Sequence, residues 1–437
     1  MRLAEVRDKR ARGVVIAAPA SGTGKTTVSL GLIAALAARG LDVRAAKSGP
    51  DYIDPKFLAA AAGSACINLD PWAMTPAALA GRLARHGDGA EVVVVEGVMG
   101  LFDGAEGGGG STSDLAAALR LPVVLVVDAS RHAQSIAAVV HGFATLRADR
   151  PLAGVIAARV GSRRHEGMVR AALGEVAVPY LGAMPGDGEL AIASRHLGLV
   201  QAEEHAQLAA LVRRAADAVA AHIDLDRLLE LCQPISTAPA GAALPPLGQR
   251  IAVASDVAFG FAYPHMLDDW RRQGAEVSLF SPLGDEPPDG DCDAVFLPGG
   301  YPELHGGRLA AAARFQAGVH AAAGRGALIY GECGGYMVLG RAIVDGDGQH
   351  HAMLGLLDHV TSFAARRRHL GYRRLETQAA PVLPGRARGH EFHYSTVLDA
   401  GSDQPLFQAW DSAGRDLGLI GGRRGNVMGA YVHIISA

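Results

Sequence analysis

The 437-residue sequence has few cysteines and few aromatic residues, and the cysteine shortage excludes two classes of protein. Four cysteines occur far apart, without a CxxC pair, at Cys66, Cys232, Cys292 and Cys333. This spacing argues against a disulfide framework and against a structural zinc site, and it is typical of a reducing compartment. Aromatic residues make up only 5% of the chain, which favours small side chains packed closely between helices and sheets.

Long apolar runs and a strong charge imbalance are also missing. No uninterrupted apolar stretch approaches the roughly 20 residues that cross a bilayer, and the charged N-terminus is not followed by a signal-peptide pattern. The formal net charge is −3, so no global positive field points to nucleic acid as a partner. We therefore expect a cytoplasmic protein that acts on small molecules, with no nucleic-acid or membrane partner.

The chain is longer than one hydrophobic core usually organises, and its pattern predicts two α/β domains. Continuous apolar strands separated by helices are typical of a parallel sheet that is covered on both faces. The predicted elements of the first domain are strands 14–17, 92–95, 123–127 and 154–158, and helices 26–38, 75–85, 113–119 and 135–146.

A segment rich in Pro, Ala and Gly, 233–248, is the predicted linker between domains at 1–232 and 249–437. Strands and helices alternate again after this linker, with a helix predicted near 263–274. From about residue 355 onward, short runs separated by turn residues predict a strand-rich region.

A glycine-rich loop, Ala18-Pro-Ala-Ser-Gly-Thr-Gly-Lys-Thr-Thr27, joins the first predicted strand to the first predicted helix. This order is typical of a P-loop, in which backbone N–H groups converge on phosphates, the lysine reaches the outer phosphates and the next hydroxyl contacts Mg²⁺. Pro19 stands where the full pattern has glycine. The predicted nucleotide-binding residues are Ser21, Gly22, Thr23, Gly24, Lys25, Thr26 and Thr27.

Carboxylates at the ends of neighbouring strands are the expected companions of the metal. Asp51 lies in the segment 47–55, and Glu96 directly follows a predicted strand. Each could be a cap or turn residue if taken alone, but beside a P-loop we predict that both join Thr26 as metal ligands. Asp103 lies seven positions beyond Glu96 in a glycine-rich loop, where it could face a substrate instead.

The stretch Ala327-Leu-Ile-Tyr-Gly-Glu-Cys-Gly-Gly335 predicts a strand, a sharp turn and a helix, as in a nucleophile elbow. Such a turn would expose Cys333 and aim the Gly334 N–H at a developing oxyanion, and the helix start would favour a thiolate. Gly299 and Gly300 follow another strand and could complete the oxyanion hole.

A histidine is the expected base for such a cysteine. His433 follows a short apolar strand near the C-terminus and is our candidate. His390 and His393 are its rivals, because the chain has 17 histidines and the pattern alone does not separate them.

Two motifs together, 20–26 and 331–337, resemble those of the cobyrinic acid and hydrogenobyrinic acid a,c-diamide synthases. The resemblance covers nearly the whole chain, because further motifs occur in the same order at 49–55, 95–104, 160–166, 194–199, 258–261, 297–303 and 389–394. It implies a doubly wound, mostly parallel P-loop domain similar to dethiobiotin synthetase, followed by a class I glutamine amidotransferase domain. It also implies that glutamine-derived ammonia amidates two acetate carboxylates of the corrin through acyl phosphates, with ATP and Mg²⁺.

The same resemblance implies roles for individual residues. Cys333 would be the nucleophile and His433 its partner, although Ile435 stands where the better-known class I triad has a glutamate. Tyr52 and Asp103 fall where the family is thought to contact or orient the carboxylate substrate, so we expect Asp103 to be catalytic. Local positive charge for the polyanionic corrin could come from Arg195, our candidate, and from Arg163, Arg164, His165, His196 and 366–369.

Two alternatives stay open at this level. Cobyric acid synthase has the same two domains and amidates other corrin carboxylates, but it carries a different motif where this chain has 389–394. A P-loop regulatory ATPase with an inactive amidotransferase-like domain is the other possibility, which the elbow at Cys333 disfavours. A homodimer is possible in either case.

Overall fold

The computed structural model describes residues 10–147, 149, 152–190, 194, 195, 198, 199, 202, 207–236, 241, 243–378, 380 and 382–437. The chain divides into two units, Met1–Gly104 with Gly109–Gly241, and Ala105–Gly108 with Ala242–Ala437. Within the described residues, no helix is both long and apolar enough to span a membrane.

Apolar, β-branched runs form the strands of the first unit, because such residues suit a sheet that is buried on both faces. These strands are β1 Arg12–Ala17, β2 Val43–Ser48, β3 Ile67–Leu69, β4 Val92–Glu96, β5 Val123–Asp128, β6 Leu152–Val160, β7 Tyr180–Pro185, β8 Ser194–Arg195, β9 Gly198–Leu199 and β10 Gln233–Pro234. Seven of them form a parallel sheet in the order β3-β2-β4-β1-β5-β6-β7.

Helices connect these strands and cover the sheet, as a parallel sheet requires. They are α1 Lys25–Ala38, α2 Asp54–Ala62, α3 Pro76–His86, α4 Thr112–Leu119, α5 Ile136–Thr145, α6 Arg163–Leu173, α7 Leu208–His222 and α8 Leu225–Leu231. The predicted strands and helices of this domain are confirmed within two residues at each end. Because β1 lies between β4 and β5, the carboxyl ends of β1, β2 and β4 meet at one edge, where α/β proteins bind ligands.

The start of the predicted linker belongs to the first sheet. Gln233 and Pro234, assigned to the linker by composition, form β10 and pair antiparallel with Gly13 and Arg12 of β1. Ile235 follows, is buried and donates its N–H to the Ala11 carbonyl. Residues 237–240 and 242 of the predicted linker lie outside the described residues.

The second unit repeats the alternation and then becomes strand-rich, as predicted. Its helices are α9 Pro264–Arg272, α10 Gly306–Ala311, α11 Ala313–Gly324 and α12 Gly334–Leu339. Its strands are β11 Arg250–Ala254, β12 Glu276–Phe280, β13 Ala294–Leu297, β14 Leu328–Glu332, β15 Ala342–Val344, β16 His350–Ala352, β17 Val360–Ser362, β18 His369–Thr377, β19 Arg386–His393, β20 Thr396–Asp399, β21 Phe407–Asp411, β22 Asp416–Ile420, β23 Gly422–Arg424, β24 Val427–Ala430 and β25 Val432–Ser436.

The described residues of this unit form three sheets. The main one has the order β12-β11-β13-β14-β24-β23 and is parallel except for the hairpin of β23 and β24. A five-stranded sheet, β22-β21-β18-β19-β25, carries the C-terminal strand, and a four-stranded sheet, β16-β15-β17-β20, completes the unit. The strand β14 ends beside β13 and β24, and this edge of the main sheet holds the second candidate site.

Candidate active sites

The glycine-rich loop between β1 and α1 has the backbone that a phosphate cradle needs. Gly22 and Gly24 have φ values of +77° and +91°, in the left-handed region that glycine adopts without steric cost. Gly24 caps α1, so the helix begins at Lys25. The Lys25 side chain is buried and its Nζ donates to the Gly97 carbonyl just beyond β4. Ser21 at the loop tip is exposed, whereas Thr23 donates to the Ala20 carbonyl (3.2 Å).

The two threonines that follow Lys25 have different surroundings. Thr26 Oγ1 donates to Glu96 Oε1 (3.2 Å) and lies 3.5 Å from Asp54 Oδ2. Thr27 Oγ1 donates instead to the Leu190 carbonyl (3.2 Å). The hydroxyl of Thr26 therefore lies beside carboxylates, while that of Thr27 binds backbone within the fold.

A buried cluster of charges adjoins the loop at the carboxyl ends of β2 and β4. The Lys47 Nζ lies 2.5 Å from Asp54 Oδ2, 2.5 Å from Glu96 Oε1 and 3.5 Å from Asp51 Oδ2. Asp51 Oδ1 also accepts the N–H groups of Ile53 and Asp54 at the start of α2. The structure brings Asp51 and Glu96 together as predicted, and it adds Lys47 and Asp54, which the sequence reading did not assign.

Burial and mutual charge set the protonation of this cluster. Burial lowers the pKa of Lys25 to about 8, and the Lys47 ammonium adds to this effect. Burial, together with the Asp54 charge, raises the pKa of Asp51 to about 6. Burial acts in the same direction on Asp54, but the Lys47 ammonium outweighs it and lowers the pKa of Asp54 to about 2. Three carboxylates thus face two ammonium groups, and the fully ionised cluster carries a net negative charge.

The donor set suits a hard cation. Thr26, Asp51, Asp54 and Glu96 present hydroxyl and carboxylate oxygens, which magnesium and calcium prefer. Glu96 Oε2 is buried without a hydrogen-bond partner among the described residues, so the acceptor capacity of this oxygen is unused.

The residues predicted to bind the substrate lie in several different segments of the first unit. Tyr52 is half-buried in the segment between Asp51 and α2. Asp103 is exposed, and its Oδ2 accepts the Gly100 N–H (2.9 Å), which closes the turn after β4. The side chains of Arg195 and His196 lie outside the described residues. Of the other basic candidates, His165 is anchored through Nε2 to the His132 carbonyl (2.6 Å).

In the second unit, Cys333 occupies a strained corner between β14 and α12. Its φ is +49° and its ψ is −108°, a conformation that a residue with a Cβ rarely adopts and that is typical of a nucleophile elbow. The Cys333 N–H donates to the Ala430 carbonyl (2.9 Å), which holds the corner against β24. A Cβ at Gly335 would lie 1.8 Å from the Leu297 carbonyl oxygen, so this tight packing requires glycine there.

His433 and Cys333 both lie next to Gly299. A Cβ added at Gly299 would lie 2.8 Å from His433 Nε2 and 3.1 Å from Cys333 Cβ. A Cβ at Gly334 would likewise lie 3.0 Å from the Gly300 backbone nitrogen. The three predicted oxyanion-hole glycines therefore lie around the nucleophile corner.

The rival histidines have other surroundings. His393 contacts Ser395 Oγ through Nδ1 (2.9 Å) and Glu391 Oε1 through Nε2 (2.8 Å). His390 pairs with His433 in the register of β19 and β25, and burial lowers its pKa to about 3, with a further contribution from His433. Among the three candidates, His433 is the one whose ring lies against Gly299.

The protonation of Cys333 differs from the expectation. Burial raises the pKa of the Cys333 thiol well above its usual range, and the nearby Glu303 carboxylate adds to this effect. The helix that follows has only six residues, Gly334–Leu339, and does not offset the burial. The resting group is therefore a neutral thiol that needs a base to become a nucleophile.

A buried ion-pair network lies near this corner. Glu391 Oε2 accepts from Arg373 Nε (2.7 Å) and its Oε1 lies 2.8 Å from His393 Nε2. Although burial acts in the opposite direction, His393 and Arg373 lower the pKa of Glu391 to about 2. His369 stacks on His393, which gives His369, Glu391 and His393 the spacing of metal ligands. Both Glu391 oxygens have partners in this network, Arg373 and His393.

Comparison with known proteins decides the family. The chain is 53% identical to hydrogenobyrinate a,c-diamide synthase of Rhizobium meliloti (strain 1021), over 97% of this chain and 99% of the relative. It is 54% identical to the enzyme of the same name from Sinorhizobium sp (97% and 98% covered) and 51% identical to that of Rhodobacter capsulatus (97% and 99% covered). The chain belongs to the hydrogenobyrinate a,c-diamide synthase family.

Two domain models divide the chain in the same way as the fold. Residues 14–200 match the CobQ/CobB/MinD/ParA nucleotide binding domain, and residues 250–437 match the CobB/CobQ-like glutamine amidotransferase domain. The predicted fold class and family are thereby confirmed. As a member of this diamide synthase family, the chain is a glutamine-dependent, amide-forming ligase with a nucleotide-binding domain.

Three charged residues of the candidate sites were not assigned from the sequence. Lys47 and Asp54 lie in the same segment as Asp51, 47–55, so a reading of every polar residue in that segment could have found them. Glu332 directly precedes Cys333, and its Oε2 lies 3.5 Å from His433 Nδ1. Its position in sequence gave no signal of that contact.

Proposed function

We propose that this protein converts two acetate carboxylates of hydrogenobyrinate into amides, using ammonia from glutamine and energy from ATP. The single observation that carries the proposal is the near full-length similarity to hydrogenobyrinate a,c-diamide synthases, in a chain that holds both a phosphate loop and a cysteine–histidine pair. The proposal assigns 1–232, with the paired strand Gln233–Pro234, to the synthetase domain, the rest of 233–248 to the linker and 249–437 to the glutaminase domain.

Glutamine hydrolysis is proposed to begin at Cys333. His433 takes the thiol proton while Sγ attacks the side-chain amide carbon, and the developing oxyanion faces N–H groups of the loop at Gly299 and Gly300 and of Gly334. His433 then returns the proton to the departing nitrogen, which leaves as ammonia, and a γ-glutamyl thioester remains. Water attacks the thioester, which releases glutamate and restores the thiol. The raised pKa of Cys333 supports a base-assisted step over a standing thiolate.

Amide formation is proposed to take place in the first unit. A substrate acetate oxygen attacks the γ-phosphorus of ATP and displaces ADP, so that an acyl phosphate forms. Ammonia then attacks the carbonyl carbon of the acyl phosphate. Inorganic phosphate is displaced, and the product is the amide. The loop 21–27 would hold the ATP phosphates, with Lys25 supplying positive charge to the transferring group. Two such cycles account for two amides.

Mg²⁺ is the metal that this chemistry implies. Thr26, Asp51 and Glu96 would hold it, joined by Asp54, and its chemistry there would be to neutralise phosphate charge. The unpartnered oxygen of Glu96 and the net negative charge of the cluster support this assignment.

The remaining assignments concern the corrin substrate. We propose that Tyr52 and Asp103 orient the reacting carboxylate and that Arg195 pairs with another carboxylate of this polyanion. Ammonia must remain unprotonated until it reaches the acyl phosphate, so its path is proposed to be sheltered from water. The protein is proposed to work in the cytoplasm.

The test is ATP-dependent amidation of hydrogenobyrinic acid and of cobyrinic acid, driven either by glutamine or by an ammonium salt. Native protein is expected to use both nitrogen sources, whereas Cys333→Ala should lose glutamine-driven turnover and keep ammonia-driven turnover. Cys292→Ala is the matched control, because Cys292 is a buried cysteine of the same unit. Loss of both activities in Cys333→Ala would make Cys333 structural.

The same assay separates the alternatives. A diamide of hydrogenobyrinic acid at the two acetates supports the proposed substrate, whereas amidation of other corrin carboxylates would indicate a cobyric acid synthase activity. ATP hydrolysis without any corrin product would indicate a regulatory ATPase and would contradict the proposal.

A further inference from the structure

The better-known class I triad has a glutamate two residues after its histidine, and this chain has no acidic residue at that position. Ile435, two residues after His433, is apolar and buried in β25. A catalytic histidine nevertheless needs a partner for Nδ1, because the tautomer with a free Nε2 is the one that can take a proton from the nucleophile. The second unit therefore has to supply this partner from another place in the chain.

Glu332 is the carboxylate that lies beside this nitrogen. Its Oε2 is 3.5 Å from His433 Nδ1, and the two side chains are 3% and 2% exposed. This separation is longer than an ordinary hydrogen bond, as catalytic contacts commonly are before substrate binds. In so dry an environment a carboxylate attracts an N–H strongly, since water does not compete for it.

The carboxylate is held in this orientation by its other oxygen. Glu332 Oε1 accepts the hydroxyl of Tyr330 (3.1 Å) and the backbone N–H of Ile434 (3.0 Å), the residue next to His433. Because both hydrogen bonds go to Oε1, Oε2 is directed toward His433. The side chain is therefore fixed by the same strand, β25, that carries the histidine.

The other charged and titratable groups near the His433 ring are neutral or paired elsewhere, so Glu332 is the candidate partner of Nδ1. His390 lies opposite His433 on β19 and, with its lowered pKa, is neutral. Glu391 on the same strand already pairs with Arg373 and His393. On the side of Gly299 the ring lies near Cys333, and the carboxylate that acts most strongly on that thiol is Glu303.

We infer that Glu332 is the third member of the glutaminase triad and acts as a positioning residue through His433. It accepts the Nδ1 proton of His433 and so keeps the Nε2 lone pair on the side of Gly299, where Cys333 lies. The acid thus comes from the residue before the nucleophile, and not from two residues after the histidine. Triads are recognised by geometry and not by chain order, and this arrangement meets that criterion. The inference rests on the proposed function of Cys333 and His433.

The decisive variant is Glu332→Gln. Glutamine keeps an acceptor oxygen for Tyr330 and Ile434, so a merely structural role would survive this change. Its amide N–H₂, however, would face Nδ1 and favour the wrong tautomer. We expect kcat for glutamine hydrolysis to fall about 10²-fold or more, with KM for glutamine and ammonia-driven amidation within about twofold of native. An unchanged kcat would overturn the inference.

A double variant tests whether Glu332 acts through His433. In a His433→Ala background, Glu332→Gln should cause no further loss, because residues that work as a unit are not additive. A full additional loss would mean that Glu332 acts independently, and it would overturn the inference. Glu276→Gln is the matched control, because it makes the same change at an exposed position of β12, on the far edge of the same sheet, and its kcat should stay at the native value.

The outcomes separate this inference from the proposed function. If Cys333→Ala and His433→Ala retain glutamine-driven turnover, the proposed function fails. If both lose it while Glu332→Gln retains full kcat, only the present inference fails. Should Glu332→Gln not yield folded protein, Glu332→Asp replaces it. That change withdraws the carboxylate by one methylene, so a lower kcat with unchanged KM is again expected, and native kcat would again overturn the inference.

Discussion

Lys47 and Glu96 meet in the interior of the first unit, where Lys47 Nζ lies 2.5 Å from Glu96 Oε1 and both side chains are almost completely buried. The two residues lie in the carboxyl-terminal parts of the neighbouring parallel strands β2 and β4, and they are paired in register. The buried ammonium group of Lys47 compensates part of the negative charge of the three carboxylates around it. Removing one member of such a group usually destabilises a protein more than removing all of it.

Replacing Lys47 by methionine should therefore destabilise the first unit by about 3 kcal/mol or more, because three carboxylates would lose their central cation. Denaturant unfolding of native and variant protein measures this. Lys56→Met, on the neighbouring helix α2, is the control for loss of a half-buried lysine. Added Mg²⁺ should recover part of the lost stability if the carboxylates bind it, and an equal loss in both variants would contradict the prediction.

The two threonines after Lys25 should differ in their effect on the metal requirement. Thr26→Ala removes the hydroxyl beside Glu96 and Asp54, so the Mg²⁺ concentration needed for half-maximal amidation should rise about tenfold. Thr27→Ala removes a hydrogen bond to the Leu190 carbonyl and should cost about 1 kcal/mol of stability, with little effect on that concentration. Equal Mg²⁺ dependence in the two variants would rule out the assignment of Thr26.

A methyl group at Gly299 should block the glutaminase site. The added Cβ would lie 2.4 Å from His433 Cε1 and 3.1 Å from Cys333 Cβ, so the histidine would have to move. We expect Gly299→Ala to lower glutamine-driven amidation at least about tenfold while ammonia-driven amidation persists, with about 1–3 kcal/mol of strain. Gly290→Ala, where a Cβ meets nothing within 4 Å, should change neither rate. Native glutamine-driven turnover in Gly299→Ala would contradict this geometry.

Acid should destabilise the second unit through a buried histidine. His359 stacks on Tyr336, and burial lowers its pKa from 6.5 to about 4. Between pH 6.5 and 4 the unfolded chain binds a proton at His359 that the folded chain does not, so the free energy of unfolding falls as the pH falls. By pH 5 the proton bound at His359 in the unfolded chain lowers the free energy of unfolding by roughly 2 kcal/mol.

The comparison of native protein with His359→Gln isolates that contribution. The free energy of unfolding is measured at pH 7.5 and at pH 5, and the native protein should lose roughly 2 kcal/mol more than the variant. His320→Gln, at an exposed position of α11, should lose as much as native. If His359→Gln shows the native pH dependence, the neutral buried state of His359 is wrong.

Local patterns were sufficient for the two loops that carry the chemistry. The loop around Gly24 and Lys25 was predictable because a glycine-rich strand-to-helix turn has few alternative conformations. The corner at Cys333 was predictable for the same reason, and its φ of +49° bears this out. The expectation that the turn would favour a thiolate was wrong. Burial raises the pKa of Cys333, and burial is a property of the packed site and not of the turn.

The charged partners of these loops were harder to predict. Lys47 reaches Glu96 only because β2 and β4 are adjacent in the sheet, and strand order is not written in any local pattern. The local pattern likewise did not separate His433 from His390 and His393. The family resemblance favoured His433, and the position of its ring beside Gly299 supports that choice.

The sequence by itself determined the family, the two α/β domains, the phosphate loop and the nucleophile corner, since each depends on residues that are close together in the chain. Only the tertiary structure decided which charges compensate one another: Lys47 among three carboxylates, and Glu332 beside His433. The contacts of Lys47 with Glu96 and of Glu332 with His433 join residues far apart in the chain, and their energies depend on the burial that only the folded sheets provide.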